Sequence, residues 1–278
     1  ARGVPQTRPE VSPMPRIALC CLALVLCCVV PAQARDLPAR DTLYQVSTLD
    51  ALLAGVYDSA MTAAEVARHG DLGLGTFTAL DGEMVVLGGR VYQAQADGSV
   101  RTAPAGLGVP FAQATFFEPD LRVPGIDAAS LEELCAALDR ALPSANVFYA
   151  LHARGRFSMV KVRSVPAQAK PYPGLAEAVK DQKVFELREV DGDLVGFRSP
   201  ASARGEGVPG WHLHFLSADR RQGGHVLALS ATGLAADLDL TPALALVLPD
   251  TPAFRSANLS GGRDAELRKA ESDPAGKE

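Results

Sequence analysis

Trp211-His212-Leu213-His214-Phe215-Leu216-Ser217, a polar loop from Ala218 to Arg221, and then Gln222-Gly223-Gly224-His225-Val226-Leu227-Ala228-Leu229-Ser230-Ala231 form the stretch on which the fold turns. Short apolar runs flanking a Gly-containing turn predict two β-strands, over 211–217 and 225–231, joined as an antiparallel hairpin. Alternate side chains of a strand share a face, so His212 and His214 point the same way with their roots roughly 7 Å apart, while Leu213 faces the other side. With a loop of Ala218 to Arg221, Ser217 pairs with Gln222 and His214 lies across from His225, which puts a third imidazole on that face. Neutral imidazoles are good zinc ligands, and three protein ligands with a fourth position open is the usual arrangement of catalytic Zn2+.

Two blander readings compete. The histidines could alternate on a surface or core face with no ligand, but three of the five histidines of the chain fall on this one hairpin face. A cupin-like metal site also uses His-x-His on a strand, yet the glutamate such sites carry a few residues later is missing from Phe215 to Arg220.

Outward from the hairpin, strands dominate. Gly75 to Leu80, Glu83 to Leu87 and Arg90 to Ala94 are separated by Asp81-Gly82 and Gly88-Gly89, turn dipeptides that suit a meander. Further strands are predicted at Phe111 to Phe117, at Asn146 to Ala153 and Phe157 to Arg163 with a turn around Arg154-Gly155, at Val184 to Val190, Asp193 to Phe197, and Leu244 to Leu248. Helices are predicted at Thr48 to Val56, Ala63 to His69, Ala128 to Ala141 and Leu175 to Gln182, the first two capped by Thr48 and Thr62. Lys170-Pro171-Tyr172-Pro173-Gly174 breaks the pattern and suggests a boundary between an N-terminal mixed β-sheet subdomain (35–174) and a C-terminal antiparallel subdomain (175–278) carrying the hairpin. The polar tail after Ser272 is expected to be disordered. The fold class expected is α+β, with mostly antiparallel or mixed β-sheets in two packed subdomains and outer helices.

The 278 residues carry a formal net charge of -5 with no block of lysine or arginine, which argues against a nucleic-acid-binding surface. Met14-Pro15-Arg16, the apolar run Ile17 to Val30 and the ending Ala32-Gln33-Ala34 make a signal peptide, with residues 1–13 as an upstream extension. The exported chain would begin at Arg35, in the periplasm or the medium. A membrane anchor is the alternative, but the run is short for a span and no stop-transfer charges follow it. Leu26 before Cys27 argues against lipid attachment. Cleavage removes Cys20, Cys21, Cys27 and Cys28 and leaves only Cys135, so no internal disulfide can form. Cys135 lies in the helical pattern Leu131 to Leu138, where a buried inert thiol is expected.

Gly210-Trp211-His212-Leu213-His214-Phe215 with Gly223-Gly224-His225-Val226-Leu227 resembles the zinc-binding hairpin of the alpha-acetolactate decarboxylase family. Gly70-Asp71-Leu72-Gly73-Leu74-Gly75-Thr76-Phe77 with Leu80-Asp81-Gly82-Glu83, Lys161-Val162-Arg163-Ser164-Val165-Pro166, and Val195-Gly196-Phe197-Arg198-Ser199-Pro200 are similar to other stretches of that family, in the same order. The resemblance spans about Leu43 to Glu271. It implies His212, His214 and His225 as zinc ligands and Glu83 as a carboxylate that approaches or binds the metal. It also implies Arg163 as an active-site arginine, Thr76 as a nearby hydroxyl, Glu271 as an acidic residue brought back by the C-terminal segment, and a homodimer. Read alone, Glu83 is a hairpin-flanking charge, Arg163 a strand-face ion-pair partner, and Glu271 a solvated helix residue close to Glu266.

The implied substrate, 2-acetolactate, carries its carboxylate on a carbon that bears a hydroxyl and adjoins a ketone. Loss of CO2 leaves an enediolate on the way to acetoin. Zn2+ chelating the ketone and hydroxyl oxygens would stabilise that charge without an organic cofactor. Arg163 would orient the departing carboxylate, and Glu83 and Glu271 would handle the proton. A secreted zinc hydrolase with Glu83 activating water, and a zinc-binding protein without chemistry, are the rival expectations.

Overall fold

The structure, a computed structural model, describes residues 40–271. The expected signal peptide with its cleavage site, and the tail after Ser272, lie outside them. The first half runs β1 (Thr42–Val46), α1 (Leu49–Leu53), β2 (Met61–Thr62), α2 (Ala63–Val66), β3 (Leu72–Thr76), β4 (Glu83–Leu87), β5 (Arg90–Ala94), β6 (Val100–Thr102), β7 (Gly108–Val109) and β8 (Phe111–Thr115). The second half runs β9 (Leu121–Ala128), α3 (Leu131–Ala141), β10 (Phe148–Ser164), α4 (Leu175–Ala178), β11 (Lys183–Ser199), β12 (Gly210–Ser217), β13 (Gly223–Thr241), β14 (Ala243–Val247), α5 (Pro252–Ser256) and α6 (Asp264–Glu271). This is the α+β class expected from the alternating runs and turn dipeptides.

One sheet has seven strands in the order β14-β1-β8-β3-β4-β5-β6, and a second has the order β10-β11-β12-β13-β9. In the second sheet β10 also pairs with β13, so β10 to β13 close into a ring. Leu43, Leu74, Val85 and Tyr92 of the first sheet share a core with Ala150, Val195, Phe197 and Leu216 of the second. The opposite faces of the ring strands bury Phe157, Leu213, Phe215 and Leu229, joined by Leu134 and Leu138 of α3. Helix α3 starts at Ser130, whose hydroxyl accepts the Glu133 N–H at 3.2 Å, and so begins three residues later than predicted, because Ala128 belongs to β9.

The break at Lys170–Gly174 is a connection between two partners of one sheet rather than a seam between sheets. Strands β9 and β10 precede it yet lie in the second sheet, and β14 follows it yet pairs in parallel with β1 in the first. The turn predicted around Arg154-Gly155 is likewise absent. Strand β10 runs straight through, as β11 does through Gly192, where two separate strands were also predicted. Glycine here serves close approach, not reversal. A Cβ on Gly155 would meet Leu234 Cδ2 at 2.8 Å, and one on Gly192 would meet the Phe215 ring at 2.4 Å. The register against β13 shifts between Arg154 and Phe157, as a bulge requires.

One buried carboxyl near the end of β13 makes stability depend on pH. Asp239 is fully buried, its Oδ2 accepts the Glu118 N–H at 3.1 Å, and its Oδ1 has no partner among the described residues. Burial, and then the charges of Asp120, Asp41 and Asp71, push its pKa up from 3.8 to about 7. Between those values the folded chain holds more protons at this site than the unfolded chain, so stability falls as pH rises through that window. Asp239→Asn is expected to melt a few degrees above the parent at pH 8, with the advantage shrinking towards pH 4. Thermal melts across that range check it, and a constant offset at every pH would refute the assignment.

Candidate metal centre and active-site cavity

The hairpin β12–β13 carries the three histidines, and its loop sets their register. Ser217 N–H donates to the Gln222 carbonyl at 2.8 Å, and His214 pairs directly with His225. On the next strand Arg163 pairs with His225, so His214, His225 and Arg163 form a row across β12, β13 and β10. Leu213 and Phe215 turn away into the core of the ring, while Leu216 turns towards the first sheet. Period-two alternation thus sends the imidazoles towards β4.

That neighbour decides the tautomer of His214. Its Nδ1 lies 2.7 Å from the carbonyl oxygen of Met84 on β4, which can only accept, so Nδ1 carries the hydrogen and Nε2 the lone pair. This Nε2 is buried without a hydrogen-bond partner among the described residues. His212 Nε2 and His225 Nδ1 lie 3.2 Å apart, and one ligating nitrogen from each ring can be chosen so that all three lie within 4.8 Å of one another. Burial pushes all three pKa values down, for His212 to about 3 and for His214 well below the usual imidazole range. The rings are therefore neutral at pH 7, the state a metal ligand requires. Three neutral imidazoles, one with an orphaned buried lone pair, fit a zinc ion. The Met84 carbonyl plays the orienting part that an outer hydrogen-bond acceptor has at such sites.

The remaining residues singled out in the sequence converge on this cluster. Thr76 and Glu83 are paired across β3 and β4. The Thr76 hydroxyl donates to the Gly82 carbonyl at 2.8 Å, and Glu83 Oε2 stands 3.7 Å from His214 Nε2. Burial pushes the Glu83 carboxyl up to about 7, with Arg163 opposing and Glu271 adding to the rise. Glu271, at the end of α6, places Oε2 3.3 Å from His225 Nε2 and Oε1 3.9 Å from Arg163 Nη2. Burial alone would raise its pKa, but His225, through its proximity and its hydrogen bond, and then His212 and the Arg163 guanidinium, outweigh it and hold the carboxyl far below the usual range. Glu266, the other acid of this helix, instead accepts a hydrogen bond from Arg263 at 2.7 Å, partly exposed.

Thr76, Glu83, Arg163, Glu271 and the three histidines line a small cavity of about 30 Å3. Its other wall is apolar: Leu49 and Leu52 of α1, Leu80, Val165, Leu175 of α4 and Val179. Sequence reasoning did not single these out, because periodicity marks them only as core residues. Their shared wall exists because α1, α4 and α6 pack into one small cluster with Leu80 and Val165. Cys135 lies elsewhere, on α3, and burial pushes its thiol up to about 12, which leaves it unreactive at neutral pH.

The family profile described as Alpha-acetolactate decarboxylase matches residues 43–261, a range that holds every residue of the site except Glu271. Alpha-acetolactate decarboxylase from Methanosarcina mazei is 47% identical over 233 residues, covering 84% of this chain and 81% of that protein. The enzyme of the same name from Methylococcus capsulatus is 44% identical over 229 residues, covering 82% and 88%. The crystal structure of alpha-acetolactate decarboxylase from Bacillus subtilis strain 168 superposes with a TM-score of 0.80 at 38% identity, covering 84% of this chain and all (100%) of that one.

Proposed function

The chain belongs to the alpha-acetolactate decarboxylase family, and from that premise we propose that it removes CO2 from 2-acetolactate and releases acetoin, using Zn2+ held by His212, His214 and His225. The observation that carries the metal assignment is the buried, unpartnered Nε2 of His214 beside two further neutral imidazoles. Bound there, Zn2+ would supply Lewis acidity towards the ketone and hydroxyl oxygens of the substrate.

The protein's own groups do the rest. Arg163, only 4 % exposed, holds the substrate carboxylate and fixes which bond faces the cavity. The apolar wall from α1 and α4 takes the methyl groups and excludes water, which strengthens every charge interaction inside. Glu83 Oε2 and Glu271 Oε2 stand on two sides of the imidazoles, and these carboxylates hold and pass the proton that replaces CO2 on carbon. Thr76, whose hydroxyl donates to the Gly82 carbonyl, also lines the cavity. The chain would act after export, as a homodimer.

Racemic acetolactate incubated with zinc-loaded protein should yield acetoin and CO2. Ester or amide hydrolysis without CO2 would favour the hydrolase reading, and zinc binding with acetolactate left unchanged would favour a binding protein. Material recovered from periplasm or medium should begin at Arg35, and an uncleaved membrane-bound product would contradict export by signal cleavage.

A further inference from the structure

Arg163 has two functional edges, and they are used differently. Nη1 donates to Gln182 Oε1 at 3.3 Å and, at shorter range, to the Ala270 carbonyl in the last turn of α6. That carbonyl stands near the negative end of the helix, which suits a cation. Nε, by contrast, is buried with no hydrogen-bond partner among the described residues, and Nη2 has Glu271 Oε1 at 3.9 Å. Nε and Nη2 are the pair whose N–H bonds run parallel, the fork that grips a carboxylate through both oxygens.

We propose that Gln182 is a positioning residue: its amide oxygen, together with the Ala270 carbonyl, holds Nη1 so that the Nε/Nη2 edge is presented to the substrate carboxylate. This rests on the decarboxylase reading above. A guanidinium only donates, so the oxygen of the Gln182 amide must face it. Gln182 is well placed to act as a fixed stop. Its backbone N–H donates to the Val179 carbonyl at 3.2 Å, and the next residue, Lys183, begins β11 in register with Ser164, the neighbour of Arg163. Without that acceptor the buried head group keeps only one anchor on Nη1, and it can rotate its fork out of register. A planar, bidentate contact is sensitive to such rotation, whereas a simple charge contact is not.

Gln182 is only half-buried, so replacing it leaves the core untouched. Gln182→Met keeps the length of the side chain and removes the acceptor, and Gln182→Ala removes both. On the zinc-loaded enzyme, calorimetric binding of lactate, an α-hydroxy carboxylate, is measured beside binding of acetoin, which has no carboxylate. Both variants should bind lactate about tenfold more weakly, the loss expected for one hydrogen bond to a charged group, with acetoin affinity, zinc content and melting temperature unchanged. The kcat/KM for acetolactate should fall by a similar factor. Unchanged lactate affinity overturns the proposal, and so does equal weakening of lactate and acetoin, which would mark a merely structural role. A parent enzyme that makes no acetoin would remove the decarboxylase reading, while the contrast between lactate and acetoin would still report on Gln182.

Discussion

Arg163→Ala is expected to keep its zinc and its fold while losing roughly 10²- to 10³-fold in kcat, the range seen when a preorganised donor to developing charge is removed. Two of the three imidazoles keep their own supports in this variant, since His214 is anchored to the Met84 carbonyl and His225 to Glu271. What disappears is a buried guanidinium beside the cavity and the hydrogen bond to the Ala270 carbonyl, so some loosening of α6 and a lower melting temperature should accompany the loss. Arg163→Lys separates charge from shape. It restores a cation but not the fork, and it should stay well below the parent if carboxylate orientation matters. Zinc content, circular dichroism and acetoin release are read on both variants. Near-normal acetoin release from a folded Arg163→Ala enzyme would take Arg163 out of the mechanism.

His214→Ala is expected to fail differently, losing metal and activity together. Its Nδ1 donates to a backbone carbonyl, and its buried Nε2 has no hydrogen-bond partner among the described residues, with Glu83 Oε2 standing at 3.7 Å. Removing it takes away one of the three proposed ligands and leaves the Met84 carbonyl without its donor. Zinc affinity should drop by more than about a hundredfold, beyond the 10–100-fold typical of losing an outer-shell partner. Acetoin release should fall to background even when zinc is supplied in modest excess. Competition with a chelator measures the affinity directly. A His214→Ala protein that holds zinc as tightly as the parent would exclude this histidine from the ligand set, whatever its activity.

The contrast between these variants reflects how the site is assembled. The histidines occupy one hairpin, where local rules suffice: alternation puts His212 and His214 on one face, and a four-residue loop count puts His225 opposite His214. Strands β4 and β5 were legible for the same reason, since Asp81-Gly82 and Gly88-Gly89 announce their turns, whereas β3 (Leu72–Thr76) shares only Gly75 and Thr76 with the strand expected at Gly75 to Leu80. Where glycine lies inside a strand, the same signal misleads. Gly155 and Gly192 look like turn residues in sequence and are in fact points where Leu234 and Phe215 press against the backbone of a neighbouring strand.

Sequence by itself therefore determined the strand-rich α+β class, the hairpin and the shared face of its three imidazoles, because each depends on residues close along the chain and on a fixed period of two. Resemblance added Thr76, Glu83, Arg163 and Glu271, which no spacing rule connects to that hairpin. Only the tertiary structure decided how they meet. Packing the seven-stranded sheet against the ring brings the Met84 carbonyl to His214, pairing β10 with β13 sets Arg163 beside His225, and docking α6 returns Ala270 and Glu271 across more than a hundred residues of chain to Arg163. The charge states follow from the same event. An imidazole or carboxyl in sequence has its ordinary pKa, and it is the removal of water by both sheets and the helices above them that pushes the imidazoles towards neutrality and the Glu83 carboxyl up to about 7.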